Sequence, residues 1–117
     1  MLDTKYLKIS SLKGLKKLVN LVDLSVNSNE ISTLTELKNL SELNLLAVDN
    51  NQIKTLEPLK NLSKLEFLSA NNNKIENARG LENLGFQTLE MQNNYIKDFT
   101  QISHHQNYQN YNLDHQK

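Results

Sequence analysis

Residues 29–51 read NEISTLTELKNLSELNLLAVDNN, and residues 51–73 read NQIKTLEPLKNLSKLEFLSANNN. The second stretch repeats the first, from one asparagine to the next. Extending the register finds Asn29, Asn51, Asn73 and Asn94 at spacings of 22, 22 and 21 residues. Five and three residues before each stand Leu24 and Val26, Leu46 and Val48, Leu68 and Ala70, and Leu89 and Met91. Two residues after each stand Ile31, Ile53, Ile75 and Ile96. Apolar residues then recur at every third position: Leu34, Leu37 and Leu40; Leu56, Leu59 and Leu62; Ala78, Leu81 and Leu84; Phe99 and Ile102. The frame is LxxLxLxxNxIxxLxxLxxL. Counting back from Asn29 gives Leu7, flanked by Leu2, Ile9, Leu12, Leu15 and Leu18, so residues 1–18 read as a fifth unit without its asparagine.

Each part of the frame has a physical reading. Strict alternation in xLxLx puts the leucines on one side of a short strand. The asparagine follows at a turn, where a buried amide satisfies backbone groups that no strand reaches, and stacked asparagines form a ladder. Leucine at every third residue suits 3-10 or extended segments, because an α-helix needs spacings of three and four. Each unit is therefore one coil, and stacked coils bury together what none buries alone. A buried leucine contributes roughly 1.5–3 kcal/mol relative to exposure.

The 117-residue chain fits one domain, with lysine plus arginine and aspartate plus glutamate both 13. That balance gives no general attraction to nucleic acid or an anionic membrane. Absence of cysteine excludes disulfides and thiolate metal sites, and a reducing compartment is the simplest expectation. No apolar run approaches the length of a membrane span, and MLDTKYLKIS lacks the apolar centre of a signal peptide. Leucine (22) and asparagine (18) are over-used, while glycine (3) and proline (1) are scarce. Asparagine competes for backbone hydrogen bonds and argues against long helices.

The stretches NNQIKTLEPLKNLSKLEFL and NNNKIENARGLENL resemble the leucine-rich repeat family in its 22-residue class, which includes bacterial internalins and the nuclear regulatory subunit of protein phosphatase 1. The resemblance covers roughly residues 2–102. The fold class is then an α/β repeat: a right-handed solenoid with a concave parallel sheet of about five short strands and mostly 3-10 or extended convex segments. The units are about 1–18, 19–40, 41–62, 63–84 and 85–102, followed by a polar tail, 103–117. The resemblance implies a non-enzymatic protein-interaction module. A regulatory subunit of an intracellular phosphatase-type enzyme, a fragment of an internalin-like surface adhesion protein, and a structural spacer in a larger enzyme remain alternatives.

The outward residues of each strand lie six, four and two positions before the asparagine. The first column is Met1, Asp23, Leu45, Phe67, Thr88; the second Asp3, Ser25, Ala47, Ser69, Glu90; the third Lys5, Asn27, Asp49, Asn71, Gln92. Tyr6, Ser28, Asn50, Asn72 and Asn93 lie at the rim. Leu45 and Phe67 are apolar neighbours on a mostly polar face, with Ala47 beside them and Asp23, Asp49 and Glu90 around them. Clustered apolar side chains on a solvent-facing sheet are candidate anchors. The candidate concave site is therefore Asp23, Leu45, Ala47, Asp49, Phe67, Ser69, Asn71 and Glu90, receiving an apolar group and basic groups of a protein partner. Five strands offer about 15–20 contact residues, just under the roughly 20–30 per side of a standard interface. Asn29, Asn51, Asn73 and Asn94 are assigned to the structural ladder.

Met1 falls in a strand position with no capping helix before it, so the first coil is open to edge association of an otherwise monomeric chain. In the tail, SHHQNYQNYNLDHQK, two outcomes stand: a loose segment, or a partial cap in which Tyr108 and Tyr111 lie over the last coil. His104, His105 and His115 lack the spacing of a metal site. The NxS sequences at Asn39 and Asn61 share one repeat position, which repetition explains. No phosphate loop, nucleophile elbow or HExxH occurs. The lysines alternate with glutamates and skip the concave face, against nucleic-acid binding. No cofactor is expected, and the expected location is cytoplasmic.

Overall fold

The fold depends on one hydrogen-bonding pattern that recurs at Asn29, Asn51, Asn73 and Asn94. In the computed structural model, which describes residues 2–3, 10–106 and 108–117, the Asn51 amide nitrogen donates to Val26 O (3.0 Å) in the preceding coil. It also donates to Val48 O and Asp49 O in its own coil, both at 3.1 Å. Its Oδ1 accepts from Ile31 N (2.9 Å). Asn73 donates to Val48, Ala70 and Asn71 carbonyls and accepts from Ile53 N (3.1 Å). Asn94 donates to Ala70, Met91 and Gln92 carbonyls, and its Oδ1 accepts from both Asn73 N and Ile75 N at 3.1 Å. Asn29 donates to Val26 O and Asn27 O. All four side chains are buried.

Before each rung the chain turns through left-handed backbone. Ser28, Asn50, Asn72 and Asn93 have φ of 58–59°. Asparagine tolerates this region better than most residues, so the chain's asparagine excess has a second use here.

Among the described residues six parallel strands form one sheet in sequence order: β1 (Leu2–Asp3), β2 (Asp23–Ser25), β3 (Leu45–Ala47), β4 (Phe67–Ser69), β5 (Thr88–Glu90) and β6 (Tyr111–Asn112). Leu24, Leu46, Leu68, Leu89 and Tyr111 pair in register. The alternating leucines point inward: Leu24, Leu46, Leu68 and Leu89 are at most 1% exposed. Expectations on Met1, Lys5, Tyr6, Leu7 and Ile9, and on the side chains of Leu2 and Asp3, lie outside the described residues.

Across from the sheet, i→i+3 turns follow one another. Leu37 N bonds Leu34 O (2.9 Å), Leu40 N bonds Leu37 O (3.0 Å) and Leu43 N bonds Leu40 O (3.0 Å). The same series runs through Leu56, Leu59, Leu62 and Leu65. Three residues per turn present every third side chain to one side, and all eight of these leucines are at most 1% exposed. Regular 3-10 segments form at Lys13–Leu15, Thr35–Leu37, Glu57–Leu59 and Thr100–Ile102. The coil after Asn73 departs from this. Gly80 there has φ of +102°, and a Cβ would lie 2.4 Å from Leu56 O, so only glycine lets this turn press on the preceding coil.

The sixth strand belongs to the polar segment for which a loose tail or a partial cap was expected. Residues 99–106 and 108–117 follow the coil geometry. Ile102, His105 and Tyr108 continue the i→i+3 bonds from Phe99 (3.0, 3.0 and 3.3 Å). Tyr111 takes the place of a strand leucine, and His115 that of a left-handed rim residue, with φ of 59°. Gln116 stands 22 residues after Asn94 and serves as a rung. It donates to Met91 O (2.8 Å) and Leu113 O (2.9 Å) and accepts from Ile96 N (3.0 Å).

Aromatic and polar contacts hold this last coil. Tyr111 packs edge-on to buried Phe86, with ring centroids 6.3 Å apart. His105 Nε2 lies 3.1 Å from Glu82 O, a group that only accepts, so this nitrogen carries the proton. In the neutral ring the Tyr111 hydroxyl then donates to Nδ1, at 2.8 Å.

Two predictions follow from this geometry. Asn73→Ala leaves three carbonyls and an amide without their partner, and should cost about 1–3 kcal/mol in chemical denaturation. Asn73→Gln should recover part of that loss, as Gln116 serves the same role. Burial raises the Tyr111 phenol above its ordinary value of 10.0, opposed by a hydrogen bond from the Phe86 backbone. The folded state therefore favours the protonated phenol. That stabilisation is complete below the unfolded value and is lost as pH rises through the folded one. Thermal stability should fall more steeply above about pH 10 in wild type than in Tyr111→Phe.

Candidate functional site

The outward columns of the sheet divide into two kinds of surface. The column two residues before each rung is a second ladder. Asn27 Oδ1 accepts from Asp49 N (2.7 Å), Asp49 Oδ1 from Asn71 N (2.7 Å), and Asn71 Oδ1 from Gln92 N (2.7 Å). Each side chain thus caps the backbone of the next coil. The Asp49 carboxylate also accepts from Ser69 Oγ, at 2.7 and 2.9 Å to its two oxygens. The Asn71 amide donates to Glu90 Oε1 (3.1 Å). Asp49, Ser69, Asn71 and Glu90 are therefore joined in one hydrogen-bonded cluster across the coils of β3, β4 and β5.

Beside this ladder lies a shallow depression of about 130 Å³. Leu45, Leu46, Ala47, Phe67, Leu68, Ser69, Thr88 and Glu90 line it. Leu45 and Phe67 pair directly in the β3–β4 register, and Phe67 pairs with Thr88 in β4–β5. Leu46 and Leu68 close the floor because alternation turns them inward. Leu45, Phe67 and Ala47 are half-buried rather than fully exposed, since each is flanked by a strand on both sides.

Of the residues read from the sequence, Leu45, Ala47, Phe67, Ser69 and Glu90 thus share one depression. Asp49 and Asn71 adjoin it, with their polar atoms occupied by the sheet. Asp23 pairs with Leu45 across β2–β3 but stands outside the lining. Thr88 lines the depression and was absent from the candidate set, although its column placed it next to Phe67. The second ladder was also missed: reading the third column as contact surface overlooked that short amide and carboxylate side chains reach the neighbouring backbone.

The carboxylates around the depression offer hydrogen-bond acceptors, and the floor offers apolar contact. Among the described residues no group of three or more histidine or acidic side chains is placed to hold a metal, and no helix is long and apolar enough to cross a membrane. Among the described residues the most exposed large apolar side chains lie elsewhere, at the junction of the first two units: Leu18, Val19 and Val22, at 45–50% exposed. Leu18 is the outer member of the column whose next members, Leu40 and Leu62, are fully buried.

No protein-family model and no curated protein matches the chain. Solved structures do. Internalin C2 of Listeria monocytogenes superposes with a TM-score of 0.85 at 34% identity, over 92% of this chain and 48% of that one. An internalin F structure from the same species gives 0.62 at 26% identity, over 81% and 35%. A leucine-rich repeat protein of Leptospira interrogans gives 0.63 at 26% identity, over 80% and 27%. The chain spans about half the length of the first of these and less of the other two. Stacked coils, a single parallel sheet in sequence order and these likenesses together identify the chain as a leucine-rich repeat protein.

Proposed function

We propose that the chain is a protein-interaction module that takes its partner on the outward face of the sheet, anchored at the depression between Leu45 and Phe67. The observation that carries this reading is the shared depression itself. Two large apolar side chains and Ala47 stand together on a face otherwise made of small and polar groups. Half-buried apolar side chains in a pocket are held in place by their neighbours, so a partner group binds them with little further ordering cost. Glu90 at the lip and Asp23 on the adjoining strand supply carboxylates for basic groups of the partner, setting orientation and encounter rate more than affinity. The Asp49 carboxylate serves mainly to hold the sheet edge-to-edge, so it contributes charge to the surface rather than a free acceptor.

Leucine-rich repeat neighbours support protein interaction in general. The likeness to internalin C2 favours a surface-protein setting over an intracellular regulatory subunit, and so over the cytoplasmic location expected from the sequence. The partner in this reading is a protein presenting an apolar side chain flanked by lysine or arginine.

The test is affinity capture from candidate extracts with wild type beside a Phe67→Ala/Leu45→Ser double variant, followed by titration of the captured protein. Affinity should fall at least about tenfold in the double variant, the usual scale for losing a hot-spot residue. Asp23→Asn should lower the association rate and its salt dependence with a smaller effect on affinity. Equal binding by wild type and a folded double variant would move the site off this face.

A further inference from the structure

The solenoid carries a second outward strip, unrelated to the sheet. Ile31, Ile53, Ile75 and Ile96 follow their rungs by two residues and are at most 2% exposed. Alternation about them turns the residues one and three positions after each rung outward, and these are exposed in each coil. Backbone bonds align the strip across coils: Gln52 N to Ile31 O, Lys74 N to Ile53 O and Tyr95 N to Ile75 O, each 2.8 Å. Lys117 N to Asn94 O, at 2.7 Å, extends it to the last coil.

Charge is unevenly distributed along it. The first positions are Glu30, Ser32 and Gln52. Further along, Lys54, Lys74, Glu76, Tyr95 and Lys97 line a groove of about 620 Å³, and Lys117 Nζ stands 5.6 Å from the centre of the Tyr95 ring. Three lysines therefore share this groove with one exposed phenol ring and a fourth stands over the ring, with Glu76 as the single carboxylate in the lining. Among the described residues the only ion pair is Lys64–Glu42, elsewhere on the molecule. The four lysines thus have no carboxylate partner within bridging distance among the described residues, in a chain whose total charge is zero.

We propose that this strip is a second binding surface, distinct from the sheet, for an extended acidic segment of a protein. Strands of a sheet lie about 4.8 Å apart, so Lys54 and Lys97, two coils apart, are separated by about 10 Å along the stack. An extended peptide advances about 3.3 Å per residue, so acidic residues three apart match that spacing. Glu76 stands between them in the same column, and Tyr95, in the same coil as Lys97, presents a flat face to the peptide's side chains. Glu76 selects against nucleic acid, whose phosphates bring a charge every ~1.7 Å and would meet it. A peptide can set a neutral or basic residue there. Because these charges are exposed, the contact is fast, individually weak per pair and sensitive to salt.

The probe is a fluorescent synthetic peptide with glutamate at every third position and serine or glycine between, followed by anisotropy at low and at physiological ionic strength. The full chain should bind it at least about tenfold more tightly than the matching all-neutral peptide, with the difference shrinking as salt rises. Lys74→Glu/Lys97→Glu should abolish that preference, Lys54→Gln/Lys97→Gln should halve it or more, and Phe67→Ala should leave it unchanged. All these lysines are exposed, so unfolding temperatures should stay near wild type. Equal affinity for the acidic and neutral peptides, no effect of the charge reversal, or displacement of the peptide by a DNA duplex at lower concentration would each overturn the proposal.

Discussion

A side-chain amide that bridges two coils is the interaction on which the rest of this molecule depends. At each turn after a strand the backbone leaves the sheet, and its carbonyls and amides lose their ladder partners. Burying such groups unpaired costs about 1–3 kcal/mol each. Asparagine has both a donor pair and an acceptor at the right reach. Asn51, Asn73 and Asn94 each join carbonyls of two coils on one side and an amide of the preceding coil on the other. Once those groups are satisfied, the turn can be buried, and the isoleucine two residues on can enter the core. Strands of only two or three residues then suffice, because the stack rather than the strand is the cooperative unit.

The same constraint distributes function. The described coils offer side chains outward on the sheet, on the strip after the rung and on the 3-10 turns, while the interior columns are committed to packing. Substitution at an outward position changes recognition with little effect on the stack. The sheet carries the apolar depression of Leu45 and Phe67, and the strip carries unpaired lysines round Tyr95. Part of the sheet is not available in this way. Asn27, Asp49 and Asn71 face outward, yet their oxygens cap the neighbouring coil, so this column serves stability and recognition together.

The sequence made the repeat legible because its two periods are strong and independent. Alternation marks Leu46 and Val48 as strand residues, and the spacing of three marks Leu56, Leu59 and Leu62 as 3-10 turns. The column arithmetic also predicted which outward residues are neighbours, since a 22-residue coil with a 22-residue register leaves no freedom: Leu45 meets Phe67. Other features were hidden for identifiable reasons. The last coil uses His105, Tyr108 and Tyr111 where earlier coils use leucine, and Gln116 where they use asparagine. An aliphatic pattern therefore ends at Ile102, while the hydrogen-bonding pattern continues to Lys117. The lysine groove was hidden because alternating charges along the chain become a same-sign cluster only when coils stack, bringing Lys54, Lys74 and Lys97 together.

The claim that the amide ladder runs unbroken from Asn29 to Gln116 can be tested by native-state hydrogen exchange. The amides of Ile31, Ile53 and Ile96 donate to Asn51, Asn73 and Gln116 respectively. Protection at Ile96 and Lys117 within about tenfold of that at Ile53 would show a last coil that opens with the stack. Exchange at Ile96 and Lys117 close to the rate of an unstructured peptide, with Ile53 still protected, would contradict the account and end the solenoid at Ile102.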